Sequence, residues 1–558
     1  MTETLEKQYT YDVRMFKETF EHEFTFINGF MRNVHRFADR RALTCPLRNR
    51  TWSYAELNQE VNRLAHALLE DGVGKNDVVM YQLLNSAEFV FCYLAPQKIN
   101  AINCPINFRL SPGETATILD DSKPVVFVYD ADIKETVEKA LSIAEHQPQR
   151  IVMVDMKGET KAPEGHVRYS DYVQHQSDIE PKIDQPSHIY DEVTRLYTSG
   201  TTGNPKGVPL NNVNEVLSAH DVAMHFPLSP VDKTMNMSPW FHRGGLHSGG
   251  PTPTLYIGGE IVILRHFNPK TCLEYVEKYG ISFLIGAPPM LKMLYDTQKK
   301  QGVDLSGLKG IVTMGAPLEK EDCIRFQETL TPNIFNGYGT TEAFWNTFLR
   351  PFDLPEMSGS AGRSCTDDDV AVVHVYPDRR AEPDDHVPKD GQSVGEIIVK
   401  APGKTTYTYV NNPEDSEKVF YKGWVYIGDM GTWDENEFVT IAGRKNDMIV
   451  SSGENIHPVQ IEEILNQHPK VSESVVVGVP DELRGEAVVA YIVKADPSLT
   501  AKELQHYCSN HTMLADYKRP RFYRFVDELP YTATGKKKHF VVRQMALEDQ
   551  KKGLFERI

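Results

Sequence analysis

Residues 197–208 read YTSGTTGNPKGV, a loop rich in glycine and in hydroxyl side chains. Glycine tolerates tight turns and lets the backbone approach a ligand closely. Successive N–H groups in such a loop form a concave anion site, to which Lys206 adds a positive charge. The loop is not a Walker A motif, because Pro205 precedes the lysine and Gly207 follows it. A short Gly/Thr run alone is also typical of a mobile surface loop, but this one predicts a polyphosphate site when the rest of the chain is considered.

Outward from this loop, strand and helix patterns alternate. Ser53 and Glu56 form a capping box that predicts the start of a helix, and Gly72 predicts its end. The apolar runs within 124–130 and 150–155 predict strands. Strands that alternate with helices indicate parallel βαβ units in layered α/β sheets.

The bulk composition limits the classes of protein. A chain of 558 residues predicts at least two domains, and 40% hydrophobic with 25% charged residues is typical of a globular protein. The net charge of −17 argues against nucleic acid as a partner. Seven cysteines without a C-x-x-C pair favour neither a disulfide framework nor structural zinc. No secretory signal or membrane-spanning stretch is visible, so we expect a cytoplasmic protein.

Further motifs follow the loop in order. They are NGYGTTEA at 336–343, YIGD at 426–429, GRKNDMI at 443–449, SSGENIHP at 451–458 and PYTATGK at 530–536. Together with the loop they resemble the adenylate-forming superfamily of acyl-CoA synthetases, aryl-CoA ligases, peptide-synthetase adenylation domains and firefly luciferase. The resemblance implies an α/β fold with a large N-terminal domain of layered βαβ sheets plus a β-barrel-like subdomain, and a small mobile α+β C-terminal domain. It implies an AMP- and acyl-binding domain at 1–445 and a lid domain carrying the catalytic lysine at 446–558.

The resemblance also implies the nucleotide site. Asp429 would accept hydrogen bonds from both ribose hydroxyls, and Arg444 would close over the same sugar. Tyr338 would stack on adenine, and Glu342 with Thr198 would hold Mg²⁺, a hard cation that prefers oxygen ligands. The implied ATP- and AMP-binding residues are Thr198, Ser199, Gly200, Thr201, Thr202, Gly203, Lys206, Gly315, Ala316, Pro317, Asn336, Gly337, Tyr338, Gly339, Thr340, Asp429 and Arg444.

The implied catalytic residues are Lys536, Glu342, Thr341 and His242. The first step joins an anionic carboxylate to an anionic α-phosphate, so positive groups must neutralise the charge. The loop N–H groups, Mg²⁺, Lys206 and Lys536 can supply them. In the resembled family the small domain then pivots at the position of Asn446, which is usually Asp or Lys. That swing would remove Lys536 and bring SSGENI to the site.

The segment MSPWFHRGGLHSGG, residues 237–250, is implied to line the acyl pocket. The implied pocket residues are Trp240, His242, Gly245 and Trp345. We expect Trp345 with Trp240 to shorten the pocket towards small or ring-shaped acids, although core packing explains both tryptophans equally well. No acidic residue lies between 237 and 259, which makes an amino-acid substrate unlikely to fit. Arg243 or His247 could pair the second carboxylate of a dicarboxylate.

The motifs DELRGE and ADYKRPR resemble the CoA-binding segments of aryl-CoA ligases. The implied CoA-binding residues are Ser452, Gly453, Arg484, Tyr517, Arg519 and Arg521. Arginine forks suit phosphates, and a tyrosine can stack on adenine.

The sequence therefore predicts an AMP-forming acyl-CoA synthetase, an acid–thiol ligase. ATP, a carboxylic acid and CoA would give acyl-CoA, AMP and pyrophosphate reversibly through an acyl-adenylate, with ATP, Mg²⁺ and CoA required. The predicted acid is small, aromatic or alicyclic. The alternatives are an adenylating enzyme that loads a carrier protein, a luciferase-like oxygenase, and a non-catalytic nucleotide-binding relative. Homodimers are common in the resembled family.

Overall fold

The computed structural model describes residues 9–199, 205–315, 318, 320–376, 378–445, 449–456, 458–530 and 539–557. Among the described helices, none has the length and apolar character needed to span a membrane.

The first part of the chain alternates helices and strands, as predicted. Its elements are α1 (Arg14–Glu23), α2 (Phe26–Arg36), β1 (Arg41–Cys45), β2 (Arg50–Ser53), α3 (Tyr54–Glu70), β3 (Val78–Gln82), α4 (Ala87–Lys98), β4 (Ile102–Pro105), α5 (Pro112–Ser122), β5 (Val126–Asp130), α6 (Lys134–Ile143), β6 (Arg150–Val154), β7 (His166–Arg168), α7 (Tyr169–Val173), β8 (Glu192–Ser199), β9 (Pro205–Asn211) and α8 (Asn212–His225). The predicted capping box of Ser53 and Glu56 is present at the start of α3.

The middle of the chain continues the alternation and ends in antiparallel strands. Its elements are β10 (Lys233–Asn236), α9 (Arg243–His247), α10 (Pro251–Ile257), β11 (Glu260–Val262), α11 (Pro269–Tyr279), β12 (Phe283–Gly286), α12 (Pro288–Gln301), β13 (Gly310–Met314), α13 (Lys320–Thr329), β14 (Ile334–Thr340), β15 (Phe344–Leu349), β16 (Arg363–Ser364), β17 (Asp369–Val373), β18 (Gly395–Lys400), α14 (Pro413–Val419), β19 (Phe420–Tyr421), β20 (Trp424–Trp433) and β21 (Val439–Arg444).

Two mainly parallel sheets form the layered part. One has the strand order β7-β6-β5-β3-β4-β8-β9, parallel except for the antiparallel β8–β9 hairpin. The other has the order β16-β15-β14-β13-β12-β10-β11-β1-β2 and is parallel from β14 to β1. One buried cluster joins the two sheets. It contains Val79 of the first sheet, Leu43 of the second sheet and Phe89 of α4. These layers confirm the predicted α/β fold class.

A third, antiparallel sheet has the order β17-β18-β20-β19, with β21 paired to β20. It stands where the barrel-like subdomain is predicted. Its strands β20 and β21 carry the predicted ribose-binding residues towards the end of β14.

The last part of the chain forms a smaller α+β unit. Its elements are β22 (Ile449–Ser451), β23 (Glu454–Ile456), α15 (Pro458–Asn466), β24 (Val471–Asp481), β25 (Gly485–Lys494), α16 (Ala501–Asn510), β26 (Phe522–Val526), α17 (His539–Lys551) and β27 (Glu556–Arg557). Its sheet has the order β23-β22-β25-β26-β27, with β24 paired to β25. The predicted hinge at Asn446 lies outside the described residues, so the boundary at 446 stays a prediction.

Candidate active site

The predicted phosphate loop lies at the turn of the β8–β9 hairpin. The strand register pairs Thr198 with Lys206 and Ser199 with Pro205, which leaves residues 200–204 as the turn. The predicted contacts of Gly200, Thr201, Thr202 and Gly203 lie outside the described residues, as does the side chain of Ser199.

Lys206 lies beside the predicted site, but another residue pairs its charge in this structure. Its side chain is 6% exposed, and its Nζ lies 2.9 Å from Asp415 Oδ2. Burial opposes ionisation of Asp415, yet the hydrogen bond from Lys206 lowers the pKa of this carboxyl. The segment that follows Tyr409 is tied to the same hairpin, because Val410 N–H donates to the carbonyl of Gly207 at 2.8 Å. A triphosphate would therefore compete with Asp415 for the Lys206 ammonium.

The structure brings the predicted adenine and ribose residues together. The hydroxyl of Tyr338, on β14, donates to Asp429 Oδ2 at 2.8 Å, and Asp429 is 4% exposed. On the neighbouring strand, Arg444 pairs with Asp429 through the backbone register; its side chain lies outside the described part. Tyr338, Asp429 and the backbone of Arg444 thus lie together, although they belong to three different motifs.

Glycines in the NGYGTTEA motif allow two strands to pack closely there. A Cβ at Gly337 would lie 2.7 Å from Trp345 Nε1, and a Cβ at Gly339 would lie 1.6 Å from the Phe344 carbonyl oxygen. Neither position accepts a side chain without movement of the β14–β15 hairpin. Thr340 Oγ1 accepts from the N–H of Ala343 at 3.2 Å, which stabilises the turn.

The predicted opposite wall of the adenine site begins where β13 ends. Gly315 has φ +81° and is exposed, and nothing lies within 4 Å of a Cβ built on it. Glycine adopts this backbone region at no cost, which suits the first position of the predicted turn. Ala316 and Pro317 lie outside the described residues. On β14, the side-chain amide of Asn336 donates to the carbonyl of Ser360 at 3.4 Å.

Glu342 has the chemistry that a hard cation requires. Its carboxylate is 7% exposed, and its Oε1 accepts from the hydroxyl of Tyr409 at 2.6 Å. In the part of the chain that the structure describes, the second oxygen of Glu342 accepts no hydrogen bond. An anionic oxygen donor of this kind fits Mg²⁺. The neighbouring Thr341 is held by its carbonyl, which accepts from the guanidinium of Arg243.

The acyl segment is shaped by one glycine and one half-exposed histidine. A Cβ at Gly245 would lie 1.9 Å from the Pro239 carbonyl oxygen, so only glycine fits. His242 precedes the short helix α9, and its side chain is 39% exposed. It can therefore face a ligand.

The structure separates the two tryptophans of the predicted acyl pocket. Trp240 is fully buried in the cluster between the two parallel sheets, with its ring 5.5 Å from that of Phe89. Trp345 belongs to another cluster, where its ring lies 5.0 Å from Phe344 and 4.4 Å from Phe348. Trp240 and Trp345 both pack as core, at 0% and 2% exposed, and they lie in different clusters rather than side by side. Phe344, Trp345 and Phe348 are packed rings only 2–3% exposed, and we call these three residues the aromatic wall.

Arg243 and His247 are buried and already have partners. His247 Nε2 lies 2.9 Å from Glu215 Oε2, and both side chains are 0% exposed. Arg243 donates to the carbonyls of Thr341 and Lys404. Burial lowers the pKa of Arg243 to about 10. Neither side chain is placed to receive the second carboxylate of a dicarboxylate.

The hairpin of the small domain packs on the acyl segment. The turn between β22 and β23 holds Ser452 and Gly453 at φ +54° and +78°. Glu454, directly after this turn, lies 3.1 Å from His242 Nε2 and accepts from the amide of Asn107 at 3.1 Å. The SSGENI motif is thus at the predicted site in this structure.

The predicted CoA residues form a basic cluster on the small domain. The N–H of Ser452 donates to the carbonyl of Arg484 at 2.7 Å, which places Arg484 behind the hairpin turn. Burial, and then the nearby Arg484, lower the pKa of Arg521. Arg519 pairs with Asp516. The half-buried Tyr517 packs against the core of the domain.

Two further predicted functional positions lie outside the structural description. Lys536 and Asn446 lie outside the described residues, and their roles stay predictions.

The chain matches the family model for AMP-binding enzymes over residues 30–409 and the model for the C-terminal domain of AMP-binding enzymes over residues 460–536. The chain belongs to the AMP-binding enzyme family. Its relatives include the indoleacetate–CoA ligase of Aromatoleum aromaticum, which is 32% identical over 500 residues that cover 89% of this chain and 93% of that enzyme.

Two solved structures of one similar protein match this AMP-binding enzyme to different extents. The o-succinylbenzoate CoA synthetase of Bacillus subtilis, as a double mutant bound to the product analogue OSB-NCoA, matches with a TM-score of 0.79, 26% identity, and coverage of 93% of this chain and 98% of that chain. The same synthetase with its acyl-adenylate OSB-AMP matches with a TM-score of 0.64, 26% identity, and coverage of 93% and 97%. The present arrangement is thus more similar to the CoA-analogue complex.

Sequence reasoning on this AMP-binding enzyme missed several residues at the site. Tyr409 and Asp415 contact Glu342 and Lys206 from the segment TYVNNPED, which carries no acid–base pattern. Asn107 contacts Glu454 from 347 positions away in sequence. No local signal could have found such pairs.

Proposed function

We propose that this chain, an AMP-forming carboxylate–CoA ligase, activates a small monocarboxylic acid whose body is an aromatic or alicyclic ring. ATP and the acid would give an acyl-adenylate and pyrophosphate. CoA would then displace AMP to give the acyl-CoA, and both steps are reversible. The observation that supports the ring-shaped acid is the aromatic wall of Phe344, Trp345 and Phe348.

This wall lies against the acyl segment. The guanidinium carbon of Arg243 lies 5.6 Å from the Phe344 ring centroid, and a Cβ at Gly244 would lie 3.6 Å from the Met314 side chain, which shares the cluster of Trp345. These packed rings fill the space beside the acyl segment, which leaves little depth for an alkyl chain. The relative in Aromatoleum aromaticum is named for indoleacetate, an acid with an aromatic ring.

A single carboxylate is favoured by the charges around the acyl segment. Glu215 is paired with His247. The negative charges of Glu215, Glu342 and Asp368 act on Arg243 and oppose the lowering of its pKa by burial. A second substrate carboxylate would add negative charge beside these groups, where Arg243 and His247 already have partners.

In the first step, the chain must hold a triphosphate and neutralise its charge. Glu342 and Thr198 would hold Mg²⁺, which when bound neutralises phosphate charge and polarises the α-phosphate. The N–H groups of the hairpin turn and Lys206 would bind the phosphate oxygens, once Lys206 leaves Asp415. Lys536 would approach the acid carboxylate and the bridging oxygen.

In the second step, the small domain would present its hairpin, as in the present arrangement. Glu454 contacts His242, and the turn at Gly453 leaves room for the pantetheine arm of CoA. Arg484, Arg519 and Arg521 would bind the phosphates of the CoA nucleotide. This cluster favours free CoA over a carrier protein as the acceptor. A cytoplasmic location and a homodimer stay predictions of the sequence.

A panel of acids tests the proposal. Purified enzyme receives ATP, Mg²⁺ and CoA with benzoate, cyclohexanecarboxylate, acetate, hexanoate or palmitate, and AMP release is measured. We expect the two ring acids to have kcat/KM values at least tenfold above that of palmitate. A preference for palmitate would contradict the ring-shaped acid while leaving the reaction class in place.

A further inference from the structure

Tyr409 makes a short polar contact with Glu342. Its hydroxyl donates to Glu342 Oε1 at 2.6 Å, and the two residues are only 5% and 7% exposed. A hydrogen bond to a buried charged group contributes more than one between neutral groups. The contact therefore fixes one oxygen of the carboxylate that is predicted to hold Mg²⁺.

Tyr409 is itself held in place from several sides. Its backbone N–H donates to Ser416 Oγ at 2.9 Å, and its ring lies 5.3 Å from that of Phe420. The Lys206 ammonium lies 5.3 Å from the ring centroid. The next residue, Val410, donates to the carbonyl of Gly207 on β9. The tyrosine is thus anchored to the strand that returns from the phosphate loop.

The tyrosine hydroxyl is the donor in this contact, because a carboxylate oxygen can only accept. The phenol therefore donates to Oε1, and the described part of the chain leaves Oε2 of Glu342 without a hydrogen bond. This geometry fixes one carboxylate oxygen and leaves the other available to a ligand.

We propose that Tyr409 is a positioning residue, which orients Glu342 so that one oxygen is directed at the metal of the metal–triphosphate complex. The inference rests on the proposed function, because it takes Glu342 as the metal ligand. Removal of a residue that hydrogen-bonds a metal-ligating side chain typically lowers the metal affinity by about 10–100-fold.

The test measures metal binding directly as well as turnover. Titration of Mn²⁺ in the presence of ATP, followed by electron paramagnetic resonance of free Mn²⁺, gives the dissociation constant of the metal in the ternary complex. We expect Tyr409→Phe to raise this dissociation constant about tenfold or more. The Mg²⁺ concentration needed for half-maximal AMP release should rise by a similar factor. Thioester formation from preformed adenylate should change less than twofold.

The matched control is Tyr93→Phe. The Tyr93 hydroxyl is also buried and donates to a buried carboxylate, Glu215 Oε2, at 2.8 Å. This variant loses the same kind of hydrogen bond, so its melting temperature should fall similarly, whereas its Mn²⁺ dissociation constant should equal that of the wild type. If Tyr409→Phe does not fold, Ser416→Ala removes the acceptor of the Tyr409 N–H and should weaken Mn²⁺ binding about threefold.

The outcomes separate the inference from the proposed function. Unchanged Mn²⁺ affinity in the folded Tyr409 variant, or in Ser416→Ala where it replaces that variant, overturns the positioning role while wild-type AMP release keeps the function. An equal loss of Mn²⁺ affinity in Tyr93→Phe also overturns it, because any buried hydroxyl would then suffice. Wild-type protein that neither binds Mn²⁺ with ATP nor releases AMP contradicts the proposed function itself.

Discussion

Replacement of Glu454 by glutamine should slow thioester formation more than adenylate formation. Glu454 belongs to the small domain, yet its side chain is 4% exposed against the large domain. It accepts from Asn107 at 3.1 Å, contacts His242 at 3.1 Å and lies 3.8 Å from Arg109. Burial opposes its ionisation, but His242, and then Arg109, lower the pKa of Glu454. The carboxylate is therefore an ionised contact between the domains.

The size of the effect follows from these contacts. Glutamine keeps the shape and can still accept from Asn107, but it removes the charge. Hydrogen bonds to charged groups contribute about 1.5–3 kcal/mol and neutral ones about 0.5–1.5 kcal/mol, so each of the contacts with Asn107 and His242 weakens by about 1 kcal/mol. A loss of about 2 kcal/mol reduces the population of the present domain arrangement about 30-fold.

Each half-reaction can be measured separately. Pyrophosphate exchange into ATP reports adenylate formation, and a single turnover of preformed acyl-adenylate with CoA reports thioester formation. We expect Glu454→Gln to slow the second by about 10–30-fold and the first by less than threefold. Glu548→Gln, which changes an exposed carboxylate on the same domain outside the CoA-binding motifs, is the control and should leave both unchanged. Equal slowing of both half-reactions by Glu454→Gln would refute the reasoning.

Three further predictions concern buried side chains. Glu215→Gln should destabilise the protein by about 3 kcal/mol at pH 7, because it breaks a buried pair with His247. Burial opposes ionisation of Glu215 but His247 lowers its pKa below 4.5, so the difference from wild type in melting temperature should persist above pH 4.5 and disappear as the pH falls through the folded-state pKa. Asp415→Asn should lower the melting temperature of the protein without nucleotide, because the Lys206 ammonium loses its charged partner. ATP should then raise the melting temperature more than it does in the wild type, because phosphate supplies the missing charge. An unchanged rise with ATP would contradict competition between Asp415 and phosphate for Lys206. Trp345→Ala should raise kcat/KM for octanoate relative to benzoate at least tenfold, since each buried methylene contributes about 0.8 kcal/mol; an unchanged ratio would place Trp345 outside the acyl pocket.

Local physical signals allowed much of the fold to be predicted from sequence. The capping box at Ser53 sets the start of α3 because its hydrogen bonds lie within one helical turn. The helix predicted to end at Gly72 ends in the structure at Glu70. The apolar runs predicted as strands pair as neighbours β5 and β6. These elements depend on contacts within a few residues.

Contacts between residues that are far apart in the sequence could not be predicted from these local signals. Trp240 and Trp345 are equally bulky in the sequence, and only the fold places the first between the parallel sheets and the second on the β14–β15 hairpin. Tyr409 reaches Glu342 across 67 positions, and nothing in its neighbours distinguishes it from an ordinary core tyrosine. Asp415, the partner of Lys206, likewise could not be predicted. It lies at the start of a helix that Asn412 caps, and such a sequence indicates only a helix N-terminus.

The products of one complete turnover test the central claim most directly. Wild-type enzyme with ATP, Mg²⁺, CoA and benzoate or cyclohexanecarboxylate should form AMP and the acyl-CoA in equal amounts, with no ADP. ADP among the products, or AMP released without a matching amount of CoA thioester, would contradict the claim that this chain joins an acid to CoA through an acyl-adenylate.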